Sequence, residues 1–207
     1  MGTAMLISEN LGVGNIMQIL MHIKQLSGKP SPKVLYIPIA AYDMPLEANE
    51  LFSVFSMAGM LHDTVYLTNP TINPQLLQMK LCSADVIYLE KGNLNFLINT
   101  LKQYGLFDVI KKAFDKGVVV VGNCQGAAAL CKNGIGKDSQ KNDIIIDGIG
   151  LFDFAFRVNK SDVDKSFNTL CINSGSAVVI NGQQMYALGE NAYIYSPDGN
   201  VIKEINP

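Results

Sequence analysis

Histidine is nearly missing from this sequence. The 207 residues hold two, His22 and His62, and both lie in the first third of the chain. A late His-x-Glu pair is therefore excluded, and so is any imidazole base supplied after residue 62. Arginine is scarcer still: Arg157 is the only one, and the net charge is -2. With no basic stripe and no aromatic-basic interleaving, nucleic-acid binding is not expected. The four cysteines (Cys82, Cys124, Cys131, Cys171) form no CxxC pair, which excludes a common zinc spacing and fits reduced thiols in a cytoplasmic setting. No Gly-Lys-Ser/Thr phosphate loop exists, and Gly12-Val13-Gly14 lacks the third glycine of a dinucleotide fingerprint. No metal and no cofactor are expected. No apolar run reaches membrane-spanning length, and Glu9 interrupts the first apolar stretch, so neither a membrane anchor nor a signal peptide is expected. Asn159-Lys160-Ser161 is then a chance match to a glycosylation acceptor.

What is present is a core. Apolar residues make up 48% of the chain against 16% charged, enough to bury one sizeable interior, and a single domain over 1–207 is expected. The most informative stretch is Val118-Val119-Val120-Val121-Gly122-Asn123-Cys124-Gln125-Gly126-Ala127. Four β-branched residues run into Gly-x-Cys-x-Gly, and a small-residue helix pattern follows at once. That is the pattern of a nucleophile elbow, a strand-to-helix turn that holds one side chain out at the top of a sheet. A thiol at the start of the following helix is expected to lose its proton more easily. Cys82, Cys131 and Cys171 read instead as buried small hydrophobes.

Short apolar runs alternate with helical patterns through the first two thirds. Strands are expected at Ala4 to Ile7, Lys33 to Ile39, Asp63 to Leu67, Val86 to Leu89 and Val118 to Val121. Helices are expected at Asn15 to Leu26, Leu46 to Ala58, Pro74 to Cys82, Phe96 to Tyr104 and Phe107 to Asp115. This predicts an α/β fold, a doubly wound, mostly parallel sheet of flavodoxin-like type, with sites at the carboxyl ends of its strands. After Asp143 the pattern turns to strands: Ile144 to Ile146, Phe152 to Val158, a short one at Cys171, Ala177 to Ile180, Met185 to Leu188 and Ala192 to Tyr195. Asn181-Gly182 and Ser196-Pro197-Asp198-Gly199-Asn200 supply hairpin turns. A C-terminal antiparallel β extension against the edge of the parallel core is expected.

A second strand end draws attention: Val86-Ile87-Tyr88-Leu89-Glu90-Lys91-Gly92-Asn93-Leu94-Asn95-Phe96. If this strand neighbours the one before Cys124, backbone N–H groups near Gly92 and of Gln125 form an oxyanion hole. From Tyr88 to Phe96, and again from Gly117 to Ala127, the chain resembles the peptidase E (aspartyl dipeptidase) and cyanophycinase-like hydrolases. In that family one strand leads to Gly-Gly-Asn-Thr-Phe and a later one to Gly-x-Ser-Ala-Gly-Ala. Val34 to Ala41 resembles the family's Ile-Pro-Thr-Ala segment, and Asp147 to Phe152 and the closing hairpins also fit. The resemblance implies a class I glutamine-amidotransferase-like fold and hydrolytic ancestry. Cys124 stands where the family has serine, Gln125 where it has alanine, and Asn159 best matches the position of its catalytic histidine. The family's preference for acidic residues makes Arg157 a candidate substrate contact.

Candidate catalytic residues are thus Cys124, Gln125, Gly92 and Glu90, and candidate substrate-binding residues are Asn93, Asn159, Arg157 and Glu9. Glu9 and Glu90 each lie just past a strand's carboxyl end, and in PfpI-like cysteine proteins a glutamate near the cysteine is part of the site. Both glutamates also read as ordinary solvated loop charges. His22 and His62 read as structural or surface residues. Two functions remain open: a cysteine hydrolase of small peptides or amides, and an impaired relative that binds small molecules or senses redox state. Glutamine amidotransfer ranks last for want of the late His-x-Glu. The expected partner is a small peptide or amide, with a homodimer compatible with the pattern.

Overall fold

The computed structural model describes residues 2–9, 13–44, 48–68, 73–137, 140, 142–159 and 166–207. Its first half alternates strand and helix: β1 (Thr3–Ile7), α1 (Val13–Ser27), β2 (Lys33–Ile37), α2 (Ala48–Met57), β3 (Leu61–Thr64), α3 (Pro74–Ser83), β4 (Val86–Leu89), α4 (Leu94–Gln103), α5 (Leu106–Asp115) and β5 (Val119–Asn123). A short helix, α6 (Gln125–Leu130), leads to the strands β6 (Cys131–Lys137), β7 (Asp143–Asp147), β8 (Phe152–Val158), β9 (Thr169–Ile172), β10 (Ala177–Asn181), β11 (Gln184–Leu188), β12 (Ala192–Tyr195) and β13 (Val201–Ile205).

Strands β3, β2, β4, β5 and β1 lie side by side in that order, all parallel, and β10 and β11 continue the sheet beyond β1 in antiparallel fashion. Their continuous apolar sequences follow from burial on both faces. Met5, Ile7, Val34, Tyr36, Val119 and Val121 face α1 and α2 through Ile19, Leu20, Ile23, Leu51 and Phe55. Leu6, Leu35, Ile37, Ile87, Leu89 and Val120 face the other way, against α3, α4, α5 and α6. Alternate residues of one strand thus feed two cores. No helix among the described residues is long and apolar enough to cross a membrane.

The α/β expectation holds, but the sheets are mixed. Only β10 and β11 extend the parallel core. The remaining late strands make a second, six-stranded sheet in the order β13-β12-β9-β8-β6-β7, where β6 pairs with β8 and β8 with β9 in parallel. An antiparallel edge extension alone does not describe it. The sequence reading misses β6 altogether, because Lys132, Asn133, Gly134 and Gly136 are weak strand formers. A Cβ at Gly134 would come within 2.6 Å of Leu94 Cδ2, so glycine there lets the second sheet close on α4. β13 is missed for a similar reason: four of its five residues are exposed and carry no burial signal.

Boundaries shift where backbone chemistry intervenes. β2 ends at Ile37 rather than Ile39, since Pro38 has no N–H to give, and a 3-10 turn at Ile39–Ala41 follows. β3 begins at Leu61, so His62 lies inside it, with its ring stacked on Phe52 at 4.4 Å. Cys82 is exposed, against the buried role expected of it, whereas Cys131 and Cys171 are buried. The start of the helix expected from Leu46 lies outside the described residues.

Phe55 is fully buried and joins α2 to the sheet, while Met57, two residues on, is 76% exposed. Phe55→Ala is expected to lower unfolding free energy by about 3–5 kcal/mol in urea denaturation. Met57→Ala is expected to change it by no more than about 0.5 kcal/mol.

Candidate active site

β5 and α6 meet at Cys124 with no linker. Its backbone sits at φ 49, ψ -102, a positive-φ conformation that L residues adopt only under constraint. The flanking glycines supply the constraint. A Cβ at Gly122 would lie 2.4 Å from Ala127 N, and one at Gly126 would lie 2.2 Å from Leu89 O. α6 therefore folds back onto its own strand and onto β4, closer than any side chain would permit. The Cys124 N–H donates to Ile7 O at 2.8 Å, and Cys124 O accepts from Ala128 N at 3.0 Å. The thiol-bearing residue is thus fixed at the carboxyl ends of β1, β4 and β5, only 8% exposed.

Glu90 follows β4 and is buried. Tyr36 Oη donates to its Oε2 at 3.0 Å, and both Asn123 Nδ2 and the Lys91 N–H donate to its Oε1 at 2.7 Å. Burial nonetheless raises its pKa, and these three bonds and the Lys91 charge only partly offset the rise. Burial, then the charge of Glu90, pushes Tyr88 well above the ordinary phenol range. Glu90 is therefore a knot joining the ends of β2, β4 and β5, and it holds Asn123, the residue before Cys124. Tyr36 and Asn123 belong to this knot and are not among the sequence-derived candidates. The polar residue between Gly122 and Cys124 was the available signal for Asn123. Tyr36 carried none.

Gly92 and Gln125 do meet. The Gly92 N–H donates to Gln125 Oε1 at 3.0 Å. Gly92 itself is at φ 143, where a Cβ would lie 2.1 Å from Ala40 O. Asn93 acts as the cap of α4: its Oδ1 accepts from Phe96 N at 3.0 Å, and its Nδ2 donates to Tyr42 Oη at 2.8 Å. A cleft of about 510 Å³ opens beside them, lined by Tyr42, Gly92, Asn93, Gln125, Ile135 and Lys137 among others. Cys124 is not among its described lining residues. A smaller polar recess of about 220 Å³ at Lys132, Asn133 and Asp153 touches none of the candidates.

Asn159 and Glu9 share a corner. Asn159, at φ 57, closes β8, and its Oδ1 accepts from Ser174 N at 3.0 Å. Ser174 Oγ in turn donates to Glu9 O at 3.3 Å. The Arg157 guanidinium lies 3.9 Å from Asp143 on β7. His22 is hydrogen-bonded to Tyr186 Oη at 2.7 Å, and burial lowers its pKa. Among the described residues, no cluster of three or more His, Cys, Asp or Glu could hold a metal ion.

The thiol is not activated in the way its position suggests. Burial pushes the Cys124 pKa up, and the Glu9 carboxylate adds to the rise. The Gln125 backbone N–H, the Gln125 side-chain amide and the Lys91 ammonium pull the other way without cancelling it. α6 is only six residues long, so few peptide dipoles add at its start.

Comparison with known proteins bears on this geometry. The sequence model of Peptidase family S51 matches residues 4–201. The uncharacterized peptidase YgaJ of Bacillus subtilis (strain 168) is 25% identical over 114 residues, 55% of this chain and 49% of YgaJ. The match thus spans about half the length of that curated relative. A crystal structure of a candidate peptidase E protein from Listeria monocytogenes EGD-e superimposes with TM-score 0.70 at 19% identity, covering 91% of this chain and 98% of that one. A peptidase from an acI-B1 Actinobacterium superimposes with TM-score 0.73 at 16% identity, covering 99% and 96%. At these identities the two structures show a shared fold.

Two measurements check the electrostatics. Glu9→Gln removes a charge that raises the thiol pKa, so iodoacetamide should alkylate Cys124 faster at pH 7.5 than in the parent, and Lys91→Met should slow it. The folded pKa of Glu90 lies above its unfolded value, so the native state binds the extra proton in between. The contribution of Glu90 is then fully present below the ordinary glutamate pKa and is lost as pH rises through the folded value. In urea titrations from pH 4 upward, stability of the parent minus that of Glu90→Gln should fall with rising pH. A flat or rising difference would contradict the assignment.

Proposed function

The chain belongs to Peptidase family S51, and from that premise we propose that it hydrolyses small peptides or amides with the Cys124 thiol as nucleophile. The observation that carries the reading is the forced backbone of Cys124 between Gly122 and Gly126. A positive-φ residue at a strand-to-helix turn is a strained arrangement maintained by close packing, as a nucleophile position requires. The sulfur, in its ionised form, attacks the substrate carbonyl carbon, and the carbonyl π electrons move to oxygen. The backbone N–H groups of Gln125 and Gly92 are the donors for that oxygen. The C–N bond then breaks, the amine leaves with a proton taken up from solvent, and water hydrolyses the thioester to release the acid and restore the thiol. No imidazole takes part: His22 is tied to Tyr186 and His62 stacks on Phe52. Thiolate forms only to the extent that a raised pKa allows, so slow turnover that increases with pH is expected.

A second reading, a relative with impaired catalysis that keeps the pocket for binding, is favoured by the raised thiol pKa. The same shift speaks against redox sensing, since the thiolate is the oxidisable form.

A panel of short peptides and amides, assayed from pH 7 to 9.5, separates the two. The hydrolase reading expects turnover that rises across this range and falls on the order of 1000-fold in Cys124→Ala. Saturable binding of the same peptides without turnover would establish the second reading and remove the first.

A further inference from the structure

We propose that the Gln125 side chain is a latch: it occupies the oxyanion position at Gly92 N–H and screens the Cys124 sulfur from the adjoining cleft until a substrate carbonyl displaces it. The inference rests on the hydrolase reading and adds a residue that controls access to the site. Three observations carry it. Gly92 N–H is the donor expected for the developing oxyanion, and in the resting state it is satisfied by an amide oxygen of the protein itself, at 3.0 Å. Only the oxygen of a carboxamide can accept from an N–H, so it is Gln125 Oε1 that faces Gly92, and the same side chain lowers the thiol pKa against the effect of burial. Gln125, the residue next to the nucleophile in the chain, therefore fills at Gly92 the place that a bound amide oxygen would take. Finally, Gln125 and Gly92 line the cleft of about 510 Å³ while Cys124 does not. Gln125 is thus the part of the elbow that reaches the cleft.

Opening needs no backbone movement. The Gly92–Gln125 bond is solvent-exposed, and water can replace it as the side chain changes rotamer. A neutral hydrogen bond of this kind shifts a population by a factor of about 2 to 10, and exposed rotamers exchange within about nanoseconds. The latch therefore lowers access without abolishing it. An alanine at this position has no such reach.

Iodoacetamide tests the latch independently of hydrolysis. The thiolate displaces iodide, forming C–S as C–I breaks, and neither an oxyanion hole nor a base is needed. The measurement is the limiting rate of the fully ionised thiol, taken from the pH profile of Cys124 alkylation by peptide mass mapping. A Cys82→Ser background removes the exposed thiol. Using the limiting rate keeps any change in thiol pKa out of the comparison. Gln125→Ala should raise this rate about 2- to 10-fold. Gln125→Met, equal in length but unable to accept from Gly92, should also raise it. Gln125→Glu should lower it, because a carboxylate accepts more strongly from Gly92 N–H and repels the thiolate. Equal or slower limiting rates in folded Gln125→Ala and Gln125→Met would overturn the latch. Peptide turnover that depends on Cys124, together with an unchanged rate in both variants, would remove the latch and leave the hydrolase reading standing. Faster alkylation without any turnover would do the reverse.

Discussion

The structure depends on one packing constraint, the absence of side chains at Gly122 and Gly126. Because neither has a Cβ, the first turn of α6 lies against Leu89 of β4 and against its own strand. At that contact Cys124 takes a positive-φ conformation. Strain of this kind costs on the order of 1–3 kcal/mol. The buried strands around it, with Ile7 O accepting the Cys124 N–H, hold the residue in place against that cost. With it come the close approach of α6 to β4 and β5 and the anchoring of Cys124 at the end of β1.

Position and ionisation are set by different groups here, and they do not agree. The knot of Glu90, Tyr36 and Asn123 fixes the residue before the cysteine and gives the turn a rigid base. Glu90 is joined to Cys124 by way of Asn123, the preceding residue. The thiol lies under the opposed influence of Glu9 and Lys91 inside a buried pocket, and burial decides the outcome. The backbone at Cys124 is the forced turn that the proposed nucleophile role needs, while burial raises the thiol pKa. Gln125 bears on both sides of this opposition, lowering the thiol pKa and accepting from the Gly92 N–H.

The parallel half of the fold was legible in the sequence because its strands are short, continuous apolar runs with helices between them. Val119 to Val121 and Val86 to Leu89 face neighbours on both sides and could be little else. The second sheet was less legible. β6 is a strand because Gly134 and Gly136 let it close on α4 and on Ile146, a tertiary gain that outweighs poor intrinsic propensity. At the site, Cys124, Gln125 and Gly92 were visible as a pattern of strand, glycine and helix. That Gly92 would be satisfied by Gln125 was not, since side-chain pairing across a 33-residue gap leaves no periodic trace. The helix-capping bond of Asn93 was likewise not read from the sequence, although the residue also lines the cleft. Arg157, the one arginine, belongs to the second sheet, where it faces Asp143.

The central claim is that the Cys124 sulfur bonds covalently to the substrate carbonyl. Acid-quenched mass spectrometry of the protein mixed with a peptide it cleaves tests this most directly. Without a base to speed hydrolysis, the thioester should accumulate, adding the acyl mass to the fragment that carries Cys124. An acyl group found on another residue, or cleavage by Cys124→Ala at the parent rate, would contradict the account.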